Sequence, residues 1–124
     1  MQKLKIEATT STPAISFDSE NGILEIKGES YPENTKEFYK PVFEWLENFL
    51  KTSTDKISVN LHISYLNTSS LKAMMTFFDI LEHAFEKGRE VEVNWYYNPE
   101  NEVALEVGEE FEEDVEFPFN IVSE

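Results

Sequence analysis

The sequence contains no cysteine. Disulfide frameworks, thiolate nucleophiles and zinc–thiolate centres are therefore excluded. Glycine is scarce, with four in 124 residues and none clustered. A glycine-rich phosphate loop has nothing to be built from. No window approaches the roughly 18 consecutive apolar residues that mark a membrane-spanning helix. The opening "MQKLKIEATTSTP" also lacks the apolar stretch of a signal peptide. A cytoplasmic protein without membrane insertion is expected. Positive charge is in short supply too: 10 Lys and Arg against 25 Asp and Glu give a net charge of −15. Such a surface repels nucleic acid and anionic lipid and favours protein partners with basic patches. After Arg89 there is no further Lys or Arg, while twelve acidic residues follow. The run "EEFEEDVE" lacks the alternating ligands and central glycine of a calcium loop. It reads as a solvated acidic face or an electrostatic docking surface, and neither a metal nor a cofactor is expected.

What is present suffices for a core. Hydrophobic residues make up 40% of the chain, with ten Phe, two Trp and five Tyr, so aromatic packing should dominate. The length suits one domain over residues 1–124. "AISFD" and "GILEIKG" read as strands, and "SENG" between them marks a hairpin turn. Asn34 is placed to cap a first helix, with Glu37 three residues on in a capping-box arrangement. Phe38, Val42, Trp45, Leu46 and Phe49 form its apolar face. Pro41 predicts a kink there, or a helix that begins at Pro41 itself. "KISVNLHIS" alternates, with Ile57, Val59, Leu61 and Ile63 on one face. A second helix is expected over 69–87, with Leu71, Met74, Met75, Phe78, Leu81 and Phe85 as its stripe and Gly88 as its stop. "EVEVNWY" alternates again. Asn98 is expected to cap a third helix that turns Val103, Val107 and Phe111 inward, although Gly108 weakens it. In "VEFPFNIV", Pro118 restricts the segment to an edge strand or an extended tail.

Strand–helix–strand repeats imply right-handed parallel crossovers. Strands with one polar face imply helices mainly on one side of the sheet. The expected fold is α/β: a mixed sheet of four or five strands, a hairpin at its start, and about three helices mainly on one face.

In that topology the loops "GESYPEN", "YLNTSS" and "YYNPEN" gather at the carboxyl edge of the sheet, where open α/β sheets place function. This edge would carry Tyr31, Tyr65 and Tyr97 around the run Asn67, Thr68, Ser69, Ser70, an aromatic and polar set suited to a protein interface. Two explanations of the hydroxyls stand side by side. They can cap the second helix, or one of them can carry a phosphate. The first turn of that helix has no acidic residue, and the nearest charge is Lys72. A phosphate there would face free backbone N–H groups and the positive dipole end, with Lys72 at hand. Catalysis has weaker support. His62 and His83 are the only histidines, and neither has the spacing of a nucleophile–base pair.

The stretches "TPAISFD", "GILEIKGESYPEN", "FYKPVFEWL" and "YLNTSSLK" together resemble the SiaC family of bacterial regulatory phosphoproteins, over nearly the whole chain. The resemblance implies a fold similar to STAS domains and a non-catalytic partner-switching role. It implies Thr68 as the phosphorylated residue, with Tyr65, Leu66, Asn67, Ser69, Ser70, Lys72, Tyr31 and Tyr97 around it in partner binding. It further implies a GHKL-type Ser/Thr protein kinase, a metal-dependent Ser/Thr phosphatase, and an effector such as a diguanylate cyclase bound by the unphosphorylated form. The alternative is a small-molecule-binding STAS-like domain without control by phosphate.

Overall fold

A computed structural model describes residues 2–124. The chain runs β1 (Leu4–Ile6), β2 (Ala14–Asp18), β3 (Ile23–Ser30), α1 (Thr35–Thr52), β4 (Ile57–Leu66), α2 (Thr68–Glu86), β5 (Val91–Tyr97), α3 (Glu102–Asp114) and β6 (Phe119–Ser123). The six strands form one sheet in sequential order, from β1 to β6. β1, β2 and β3 pair antiparallel, and β3 through β6 pair parallel. The class is the expected mixed α/β, with one strand more than the upper expectation. That extra strand is β1, whose three residues are too few to display a readable alternation.

Sequential order explains the layering. Each parallel crossover steps one strand in the same direction, and crossovers of one hand then deposit every helix on the same face. Burial follows suit. Leu24, Ile26, Val59, Leu61, Val93 and Trp95 are at most 1% exposed, and their strand neighbours are partly or fully exposed, all polar or aromatic-polar except Ile23. The open face carries an amide ladder, Asn120 Nδ2 to Asn94 Oδ1 at 3.0 Å and Asn94 Nδ2 to Asn60 Oδ1 at 3.0 Å. His62 stacks there on Tyr96, with ring centroids 4.3 Å apart, and meets the Glu124 carboxylate at 3.0 Å.

The helices correct several expectations. Asn34 caps α1 by accepting from the Glu37 N–H at 3.1 Å, but the helix begins at Thr35 and continues through Pro41. The carbonyl of exposed Glu37 loses its helical donor there. Tyr39 is buried, whereas Phe38 is only half-buried. On α2 the buried arc is Ser70, Ala73, Met74, Phe77, Phe78 and Leu81. Met75, expected inside, is 51% exposed. The cap of α3 is Asn101, one turn later than Asn98. Asn98 instead closes a turn by accepting from the Glu100 N–H at 2.9 Å. The inward residues of α3 are Ala104, Gly108 and Phe111; Val107 is half-buried and Val103 is 66% exposed. Trp95 occupies the space beneath α3 and donates its indole N–H to the Ala104 carbonyl at 3.0 Å, so only small residues fit above it.

Candidate functional site

Parallel pairing brings the carboxyl ends of β3, β4 and β5 to one edge, together with the N-termini of α1 and α2. The Asn67 N–H donates to the Ser30 carbonyl at 3.1 Å, so β4 is tied to β3 up to the start of α2. Asn67 adopts an extended backbone and caps α2, its Oδ1 accepting from the Ser70 N–H at 2.9 Å. Capping is therefore the work of the asparagine, and the three hydroxyls that follow are released from it.

Their fates differ. Ser70 is fully buried, and its Oγ lies 2.8 Å from Ser30 Oγ, which in turn lies 2.6 Å from the Tyr39 hydroxyl. The trio joins β3, α1 and α2 under the edge. Ser70 thus faces the interior, contrary to the expectation of a partner-facing role. Helical spacing explains this, because Ser70 stands in register with buried Met74, Phe77 and Leu81. Ser69 is exposed but occupied: its Oγ lies 2.7 Å from Thr35 Oγ1 and 3.3 Å from Asn67 Oδ1. That contact ties the first residue of α1 to the first turn of α2. Thr68 is exposed, stands first in α2, and its hydroxyl makes no hydrogen bond among the described residues.

The aromatic expectation divides. Tyr31 and Tyr65 meet edge to face with centroids 5.9 Å apart, and they are 40% and 51% exposed. Tyr97 is half-buried and joins no ring contact among the described residues. Leu66 and Asn67 are half-buried beside the pair, and Lys72 is exposed without an ion pair among the described residues. The first turn of α2 holds no acidic residue. The cleft next to Tyr65 measures about 50 Å³, well below the few hundred Å³ of a small-molecule pocket. A larger groove of about 520 Å³ lies at the opposite end of the helical layer, beside Leu50, Ile80 and Arg89. The two histidines are apart from this edge, His62 on the open sheet face and His83 late in α2 with Nδ1 2.9 Å from the Asp79 carbonyl.

Ser30, Thr35 and Tyr39 were not singled out by sequence reasoning. Tyr39, Val42, Leu46 and Phe49 are spaced as well as the set built on Phe38, so periodicity alone does not choose between them. Burial pushes the Tyr39 phenol above the ordinary tyrosine value, and the hydroxyls of Ser30 and Ser70 partly offset this. The folded protein then holds that proton more tightly than the unfolded chain. The associated stabilisation is complete below the ordinary tyrosine value and is lost as pH rises through the raised one. Tyr39→Phe is expected to cost about 1 kcal/mol near neutral pH, since Ser30 and Ser70 keep each other. It should also flatten the stability loss between about pH 8 and about pH 11. Urea unfolding of both proteins at the two pH values checks this, and identical alkaline losses would disprove it.

Comparison with known proteins identifies the family and agrees with the fold. Residues 6–124 match the family model described as SiaC family regulatory phosphoprotein. An uncharacterised protein of Pseudomonas aeruginosa strain UCBPP-PA14 is 46% identical over 121 residues, covering 98% of this chain and 96% of that protein. The solved structure of apo-SiaC from Pseudomonas aeruginosa superposes with a TM-score of 0.95 at 45% identity, covering 98% of this chain and 99% of that one. SiaC in complex with the diguanylate cyclase SiaD, of which it is the activator, gives a TM-score of 0.95 at 45% identity with the same coverage.

Proposed function

Because the chain belongs to the SiaC family of regulatory phosphoproteins, we propose that it is a cytoplasmic partner-switching adaptor, acting as one domain over residues 1–124, whose docking edge is controlled by a phosphate on Thr68. The observation that carries this reading is the sorting of the three hydroxyls. Ser70 is sealed in the core and Ser69 is tied to Thr35, while Thr68 is exposed and unbonded. A kinase must reach an oxygen whose proton can leave, and Thr68 offers it without breaking a cap or opening the core.

A GHKL-type Ser/Thr kinase adds the phosphate and a metal-dependent phosphatase removes it. The unmodified form docks on an effector through Tyr31, Tyr65 and Leu66, with Asn67, Ser69, Lys72 and Tyr97 at the rim. Ser70 acts from beneath as a support. The effector is a diguanylate cyclase, as supported by the complex of the related SiaC with SiaD, and docking raises cyclic di-GMP. The helix N-terminus accommodates the dianion. The dipole of α2 favours negative charge at its first residue, no carboxylate competes in the turn, and the N-terminus of α1 lies alongside through the Thr35–Ser69 contact. Phosphopeptide mapping of the protein isolated from its host should place the phosphate on Thr68, and Thr68→Ala should remain unlabelled. A phosphate found solely on another residue, Ser19 for instance, would end this mechanism.

A further inference from the structure

We infer that the groove between the C-terminal halves of α1 and α2 binds a small aliphatic anion, an alkyl chain of medium length ending in a carboxylate or phosphate head. The site lies away from the switch residue: Ile80 in its wall is twelve residues, about 18 Å, along α2 from Thr68. It goes beyond the adaptor reading and does not depend on it.

The groove measures about 520 Å³, a size that accommodates a small organic molecule. Each wall is one helix face. α2 supplies Ile80, His83, Ala84 and Lys87, at the spacing of a single stripe, and α1 supplies Leu50 and Lys51. Leu50, Ile80 and Ala84 are half-buried, so aliphatic groups make the floor. No Phe, Tyr or Trp lines the groove among the described residues. From Ile80 to Lys87 the wall runs about 10 Å. A narrow aliphatic floor of that length fits an alkyl chain laid along it, and offers a flat ring system nothing to stack on.

The rim is cationic in an otherwise acidic molecule. Lys51, Lys87 and Arg89 line it, three of the ten Lys and Arg in the chain, against one lining carboxylate, Glu47. Arg89 is already committed. It donates to the Asp55 and Leu50 carbonyls at 3.0 Å each and to the Ser53 carbonyl, which satisfies the end of α1 and its need for positive charge. Lys51 and Lys87 are not committed: both are exposed and neither has an ion pair among the described residues. Lys51 does not close even on Glu47, four residues before it on α1. Two unpaired ammonium groups beside an aliphatic floor complement a ligand with an apolar body and a negative head. Size alone does not produce this rim. A groove of about 540 Å³ beside Ser19 and Thr54 is lined by Glu20 and Asp55 and by no Lys or Arg.

The test titrates the full-length protein with octanoate and with octyl phosphate, by calorimetry and by amide chemical shifts. At least one should bind saturably, with shifts centred on Leu50, Ile80, Ala84 and Lys87, and the tighter of the two identifies the head group. Octanol, with the same chain and no charge, should bind about tenfold or more weakly, and octylammonium should not bind. Lys51→Glu combined with Lys87→Glu alters exposed side chains, so the fold is retained, which a thermal melt verifies. This variant should weaken the anion by about tenfold or more and leave octanol unchanged. Ala84→Leu, which fills the floor, should weaken anion and alcohol alike. No saturable binding of either anion, shifts centred on Tyr65 and Leu66 instead, or undiminished anion binding by the double Lys variant overturns the site. None of these results bears on Thr68, since phosphopeptide mapping and effector binding decide the adaptor reading separately.

Discussion

Phosphorylated on Thr68, the protein is expected to bind its effector about a hundredfold or more weakly than the unmodified form. The group at stake is a dianion at an edge whose neighbours, Tyr65 and Leu66, present an aromatic ring and a half-buried aliphatic side chain. Docking over that edge would strip water from the phosphate, at a cost of several kcal/mol unless the partner supplies cations at that point. Basic residues on the effector do not cancel this, because the acidic wall that would hold them is α3. Pairs of that exposed kind contribute at most about 1 kcal/mol each. The desolvation cost therefore decides the sign. Salt separates the two effects: raising ionic strength should weaken the unmodified complex by screening the flank, and the phosphate should inhibit at every salt concentration. Thr68→Ala should dock like the unmodified protein and escape the kinase. Thr68→Glu, with one charge in place of nearly two, should lose about tenfold. Calorimetry with the phosphorylated and unphosphorylated forms measures the difference directly, and matching affinities would remove the switch. The fold need not move. α2 gains from a negative charge at its first residue, so phosphorylation should leave the thermal midpoint level or slightly raised.

How much of this was legible beforehand depends on what each residue pattern encodes. β4 and β5 alternate strictly because one face packs on helices and the other is open, so both were readable from the period alone. Their parallel arrangement followed from the intervening helical segments. β1 was too short to show a period. On α2, apolar residues cover more of the circumference than a one-sided helix needs. Periodicity cannot separate the part that enters the core from the part left outside, and Met75 and Phe77 exchanged places for that reason. On α3 the reading put the bulkiest residues inward, whereas Trp95 had already filled that space from β5. The candidate site was legible as a position: a hydroxyl run at a strand–helix junction with no acidic residue in the first helical turn. Which hydroxyl is free was not, since that depends on contacts with Ser30, Thr35 and Tyr39 from elements distant in the chain. Only the register of Ser70 with Met74, Phe77 and Leu81 could have withdrawn it in advance.

Gly108→Ala tests that tertiary control where two known magnitudes oppose each other. In an exposed helix interior, Ala is favoured over Gly by about 1 kcal/mol, so propensity alone predicts a more stable protein. Here a Cβ would stand 2.5 Å from Trp95 Cδ1 and 2.6 Å from its Nε1. The indole cannot retreat easily. It is 1% exposed, packs edge to face on Phe111 at 5.6 Å, and is held by its N–H bond to Ala104. Relief requires α3 to lift from the sheet, which loosens that bond and the contact of Phe111 with Phe78 at 4.9 Å. Overpacking of this kind costs about 1–3 kcal/mol, with about another 1 for a strained buried hydrogen bond. The net expectation is a loss of about 2 kcal/mol, roughly 4–8 °C in a domain of this length. Urea unfolding followed by tryptophan fluorescence measures it, and a variant as stable as the parent would mean that α3 is not seated on Trp95.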